Sequence, residues 1–148
     1  MNEDQLKERT KQLAIKSIQV VQDLPSDSTV QVLGRQLVRS ATSVGANYRA
    51  ACRARSGPEM LAKLGLVVEE ADESQYWLEL LAEVLNDRSD DFAPLHREFN
   101  EIVANVLPQE SRCTEDCPRL EGEGINNSLS LAKQLILGAQ QTMGKNPI

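Results

Sequence analysis

From residue 58 to residue 86 the side chains Leu61, Leu64, Val68, Ala71, Gln75, Leu78, Ala82 and Leu85 recur at steps of three and four, with Gln75 the one polar member. Strands present alternate residues to one face, so a three-four rhythm of this length is helical. At 1.5 Å per residue the segment spans about 43 Å. A helix that long must bury its stripe against other helices, which fixes the fold class as all-α.

The rest of the chain supplies the partners. Residues 3–24 place Leu6, Leu13, Val20 and Leu24 near helical spacing and stop at Pro25. Ser26, Asp27 and Ser28 offer caps for a second helix over 28–55. Ser56-Gly57-Pro58-Glu59 is a break with a capping-box pair and a proline near the first helical position, opening the third helix at 58. NDRSDD, residues 86–91, is the next turn. A fourth helix over 92–107 carries Pro94 in its first turn and Leu95, Phe99, Ile102, Val103 and Val106 on one side. Short connections between four helices make sequence neighbours antiparallel, giving an up-and-down four-helix bundle over residues 1–107. Aromatic residues are only 3% of the chain, so the core is mainly aliphatic. Residues 108–148 are expected to be a linker and a C-terminal extension, with a fifth helix over 127–142 aligned on Leu131, Leu135 and Ala139.

Two helical faces ask for a partner. On a wheel of about 100° per residue, Arg35, Arg39, Arg49 and Arg53 gather opposite the apolar face of the second helix. Between Ser28 and Pro58 there are five arginines and no acid. The third helix with its following turn carries ten acids, Glu59 to Asp91, against Lys63 and Arg88. It also has a second apolar stripe, roughly opposite the first, of Leu66, Trp77, Leu80, Leu81 and Val84, with Glu70 and Glu73 in the same sector. One apolar face suffices for a helix of a solitary bundle. The economical expectation is self-assembly, in which Glu70, Glu73, Trp77, Leu80 and Val84 of one subunit meet the arginine face of the next in a head-to-tail contact.

The block RQLVRSATSVGANYRAACRARSGPEMLAKLGLVVEEADESQYWLELLAEVL resembles one known family. Arg39-Ser40-Ala41, then Ser43 to Arg49, Arg53 to Ser56, Glu69 to Ser74 and Tyr76-Trp77-Leu78 look like those of bacterial four-helix-bundle proteins encoded within intervening sequences of large-subunit ribosomal RNA genes. The resemblance covers residues 1–107 and implies an up-and-down bundle assembled as a homopentamer, with no enzymatic activity. The accessory proteins of diversity-generating retroelements look similar in fold; those are basic pentamers that bind nucleic acid and partner a reverse transcriptase. This chain departs from them in its net charge of −6.

Chemistry is sparse in the sequence. The arginine stripe is the candidate phosphate grip, making RNA or a nucleic-acid-handling protein the alternative partner. Against it stand the acidic remainder and the few aromatics available for base stacking. Glu69, Glu70, Asp72 and Glu73 have no Glu-x-x-His companion, since the only histidine, His96, lies elsewhere. Cys113-x-x-x-Cys117 lacks a second ligand pair and the Cys-x-x-Cys spacing of redox sites, so Cys52, Cys113 and Cys117 are expected to be free thiols. No catalytic, cofactor-binding or metal-binding residue is assigned. The charged start MNEDQLKERTKQ and the lack of a long apolar run lead us to expect no signal peptide or membrane anchor, and a cytoplasmic location.

Overall fold

The computed structural model of the chain describes residues 2–116. They form four helices, α1 (Glu3–Gln22), α2 (Ser28–Ala51), α3 (Gly57–Val84) and α4 (Ser89–Asp116), with a 3₁₀ turn at Asn86–Arg88 before α4. The fifth helix expected over 127–142, and Cys117, lie outside the described residues. Consecutive helices pack side by side and α4 returns to α1, which is the up-and-down bundle that the short connections predict.

Each helix start has a chemical cause. Asn2 caps α1 through a reciprocal box: the Gln5 amide donates to Asn2 Oδ1 (2.8 Å) and the Asn2 amide to Gln5 Oε1 (2.9 Å). The Asp27 carboxylate accepts the amides of Thr29 and Val30 (2.9 and 3.1 Å) at the start of α2. At α3, the Ser56 hydroxyl accepts the Glu59 amide at 3.3 Å. The Glu59 side chain reaches past the cap to the Arg55 amide (2.8 Å), so the pairing is displaced by one residue from the expected box.

The ends of α1, α2 and α4 differ from their sequence-based positions. Before Pro25 the chain tightens, Leu24 donating to the Val21 carbonyl instead of one four back, so α1 stops at Gln22. The amides of Arg53 and Ala54 likewise reach back only three residues, ending α2 at Ala51 rather than at residue 55. The fourth helix starts at Ser89 and runs through Pro108 to Asp116, where a linker was expected. Pro94 and Pro108 deprive the carbonyls of Asp90 and Ala104 of their helical donors. Both of those residues are exposed, so water can take the place of the missing amides.

The core runs the length of the bundle, with Tyr48, Phe92 and Phe99 as its largest side chains among Leu6, Leu13, Leu37, Leu64, Leu78 and Ile102. On α3 the buried residues are Leu64, Val67, Ala71, Ser74, Leu78 and Leu81. The expected stripe shares Leu64, Ala71 and Leu78 with this set. Val68, Gln75, Ala82 and Leu85 are only half-buried. Leu81, expected on the outward stripe, is fully buried in the core.

The four seams differ in kind. Between α1 and α2 the approach is close: a Cβ on Gly34 would lie 2.9 Å from Val21 Cγ1, and Gly45 faces Thr10. Thr10 and Ser17 are buried there, their hydroxyls donating to the carbonyls of Lys7 and Leu13 in their own helix. Between α2 and α3 the buried hydroxyls of Ser40 and Ser74 lie 2.8 Å apart, one donating to the other. The α1–α4 seam is the loosest and is bridged by Arg9. Its guanidinium forks onto both oxygens of Glu98 and also reaches Glu101. Arg88 ties the two turns at one end, donating to the Asp23 carbonyl at 2.6 Å and pairing with Asp91 at 2.9 Å.

Candidate interaction face

The outward side of α2 is set by its core side. Val30, Leu37, Ala41, Val44, Tyr48 and Ala51 point inward, and Arg35, Arg39 and Arg49 are therefore exposed on the opposite side, as the wheel predicts; Arg53, also exposed, lies in the turn just past the end of α2 rather than on the helix. One of the four is engaged. The Arg39 guanidinium donates to a Glu73 oxygen of the same chain, lies 3.8 Å from Glu70 Oε2, and donates from Nε to Gln36 at 3.2 Å. Glu70 and Glu73 thus have an arginine within their own subunit. The pairing that the sequence assigned to two subunits is satisfied inside one, because antiparallel α2 and α3 bring residues 39 and 73 level. The side chains of Arg35, Arg49 and Arg53 make no hydrogen bond or ion pair among the described residues.

Beside Glu70 and Glu73 runs the second stripe of α3. Its members Leu66, Glu70, Glu73, Trp77 and Leu80 sit one position before the core residues Val67, Ala71, Ser74, Leu78 and Leu81, and Val84 one before the half-buried Leu85, so the stripe is turned about 100° from the core, towards α2, which supplies Arg39. It is not opposite the core, as the sequence reading had it. Leu80 is half-buried, Trp77 packs its partly covered ring against the core, and Val84 is 52% exposed. The Trp77 indole N–H donates to Glu73 Oε1 at 3.0 Å, which fixes the ring edge, and Tyr76 tilts against it with centroids 5.1 Å apart.

The two carboxylates of this cluster are pushed in opposite directions. The hydrogen bond from Arg39, helped by the Trp77 N–H, holds Glu73 below the ordinary glutamate range. Burial raises Glu70, Arg39 opposing that only in part, and Glu73 nearby adds to the rise. Glu70 Oε2 is shielded from solvent and has no hydrogen-bond partner among the described residues. Glu73 is therefore the anchor of the Arg39 pair, while Glu70 is held at its edge.

Residues elsewhere make no comparable site. His96 faces Glu79 across α3 and α4 at 3.5 Å, with Asn100 at 3.2 Å from its other ring nitrogen. The Asn47 amide donates to the Ser43 carbonyl of its own helix at 3.0 Å. Burial, then the nearby Glu3, pushes the half-buried Cys52 thiol up and away from the reactive thiolate. Among the described residues no three His, Cys, Asp or Glu side chains gather as a metal site, and no helix is long and apolar enough to cross a membrane.

Sequence reasoning passed over one surface. The outermost positions of α3, Glu69, Asp72, Tyr76, Glu79 and Glu83, are all exposed and return at three-four spacing, making an acidic stripe with one aromatic in its middle. The signal was present in the same periodicity that located the core, displaced around the helix.

The sequence model of the 23S rRNA-intervening sequence proteins matches residues 3–107. A crystal structure from Bacteroides thetaiotaomicron, described as a protein of unknown function from the S23 ribosomal protein family, is similar with a TM-score of 0.69 and 27% identity. The match covers 75% of this chain and 99% of that one. No curated protein matches the chain.

Proposed function

The chain belongs to the family of 23S rRNA-intervening sequence proteins, and from that premise we propose that it acts as a non-enzymatic, self-assembling adaptor built as a homopentamer. The observation that carries this reading is the second stripe of α3. Leu66, Trp77, Leu80 and Val84 lie outside the bundle's own core and stay partly or largely open to solvent, joined by Tyr76 at 52% and Val32 of α2 at 46% exposure. Exposed aromatic and aliphatic side chains in one region are the usual mark of a protein interface. Burying them on further copies would convert that surface into a shared core. Sedimentation velocity of the whole chain at micromolar concentration tests the reading: a species of five chains is expected, and a monomer overturns it.

A second reading has a specific observation in its favour, the unengaged arginine side chains Arg35 and Arg49 on the outer side of α2 and Arg53 just past its end. Each phosphate contact would add affinity that falls with salt. The neighbouring acidic stripe of α3 repels the same phosphates, which places RNA second to a protein partner. Gel-shift titration with RNA between low and physiological salt decides it, since absence of a complex even at low salt removes this reading.

A further inference from the structure

Of the two carboxylates in the second stripe of α3, Glu73 holds the Arg39 guanidinium by a hydrogen bond, whereas Glu70 has it only at 3.8 Å, beyond hydrogen-bond reach. Glu70 stands one turn after Leu66 and two turns before Trp77, and only 19% of its side chain is open to solvent. Its Oε2 is fully shielded and unbonded among the described residues. The hydroxyls of Ser40 and Ser74 lie within hydrogen-bond distance of each other and of carbonyls in their own helices, so neither is free for Glu70. The charged groups that act on Glu70 are Arg39 from α2 and Glu73 and Glu69 from α3; among the described residues α4 sends none. Its charge therefore rests on an offset arginine and on the water that reaches the open part of the side chain.

We propose that covering the second stripe protonates Glu70, so that each subunit takes up a proton from water as it assembles and the assembly tightens as pH falls. The inference names a regulation of the assembly reading above and rests on it. Leu66, Trp77, Leu80 and Val84 surround Glu70 with apolar surface, and a cover matched to them removes its remaining water. Loss of that water disfavours the charged form. Two other ways of holding the charge are closed. Arg39 is committed to Glu73 and Gln36, and a cation from another chain has no path to the shielded Oε2. Neutralisation by a proton is the route left, and burial has already moved the single subunit part of the way by raising Glu70. A group whose proton affinity is higher in the assembly than in the free subunit strengthens assembly as pH falls from the assembled value to the free one. Outside that window it has no effect.

Sedimentation velocity of the full chain across a concentration series, repeated at about pH 8, 7, 6 and 5, tests the linkage. Each subunit contact in the wild type is expected to strengthen by up to about tenfold per pH unit within the window. Glu70→Gln is neutral at every pH. It is expected to assemble at least as tightly as wild type at the highest pH and to lose most of the pH response. Glu83→Gln removes an exposed acid of α3 outside the cluster and keeps that response, which separates Glu70 from the general easing of charge repulsion in acid. Circular dichroism melts check that each variant keeps its bundle. A folded wild type that stays monomeric at every pH overturns the assembly reading and this inference with it. An assembled wild type whose pH response survives unchanged in Glu70→Gln overturns the proton uptake alone. Assembly that weakens in acid through Glu70 overturns it too, because a cation from the neighbouring copy would then be holding Glu70 ionised.

Discussion

Glu70 and Glu73 show how three residues of separation decide the fate of a carboxylate. Glu73 receives the Arg39 guanidinium and the Trp77 N–H, while Glu70 has an oxygen shielded from water and unbonded among the described residues. A carboxylate whose charged form is disfavoured in the folded state costs stability while ionised, and that cost disappears as pH falls through its raised folded value. Glu70→Gln keeps the shape and removes the charge. It is expected to raise stability at neutral pH by about 1 kcal/mol, and the gain should shrink as the solution is acidified. A thermal-melt series of both proteins from neutral pH to about pH 4 checks this; a less stable variant at neutral pH would show that Arg39 outweighs burial. The sequence put Glu70 and Glu73 on one face, which is right. It had no means of showing that α2 brings Arg39 level with them, because the rotation of one helix against its neighbour is set by the whole packed core.

At the scale of elements, the rhythm of α3 was legible and its phase was not. A three-four alternation fits the expected stripe and the observed one equally, since both contain Leu64, Ala71 and Leu78. Gln75 and Ser74 are equally eligible for the core by sequence, since neither is apolar. What makes Ser74 the buried one is a second hydroxyl, Ser40, on another helix, a pairing invisible within a single periodic segment. Helix ends followed proline chemistry at Pro25, whereas at Pro108 the lost hydrogen bond falls on the exposed residue Ala104 and α4 continues. The glycines give a contrast that can be measured. Gly65 lies in the middle of α3 with nothing within 4 Å of a Cβ, so Gly65→Ala should stabilise the fold by up to about 1 kcal/mol through helix propensity alone. At Gly34 the same change meets Val21 at 2.9 Å. Overpacking there, about 1–3 kcal/mol, outweighs the propensity gain, so Gly34→Ala should lower the midpoint of urea unfolding. Equal responses at the two sites would remove the close α1–α2 approach as their cause.

For the whole molecule, the bundle class was readable because each helix advertises one strong apolar face and the turns are short. How tightly each pair of helices is joined was not, since that depends on side chains far apart in the chain. Arg9 with Glu98 and Glu101 is the clearest case, holding α1 to α4 where their packing is loosest. Removing Arg9 leaves the half-buried Glu98 without its cation. Arg9→Ala should cost about 1 kcal/mol at neutral pH. Because the Arg9 hydrogen bonds hold Glu98 below the ordinary carboxylate range, this stabilisation is complete above the unfolded-state value and fades as pH falls through the lower folded one. Denaturant unfolding at neutral and strongly acid pH should therefore separate wild type and variant only in the first condition. The same seam has a consequence for how the chain reaches its structure. Every other tight pairing joins helices that follow one another, so each needs only a short loop to close; α1 against α4 must wait until some ninety residues lie between its two sides, as Arg9 and Glu98 do. During synthesis α1 leaves the ribosome first and meets its last neighbour last, and until α4 arrives the α2–α3 hairpin, the most closely packed pair, is the part that can hold itself together.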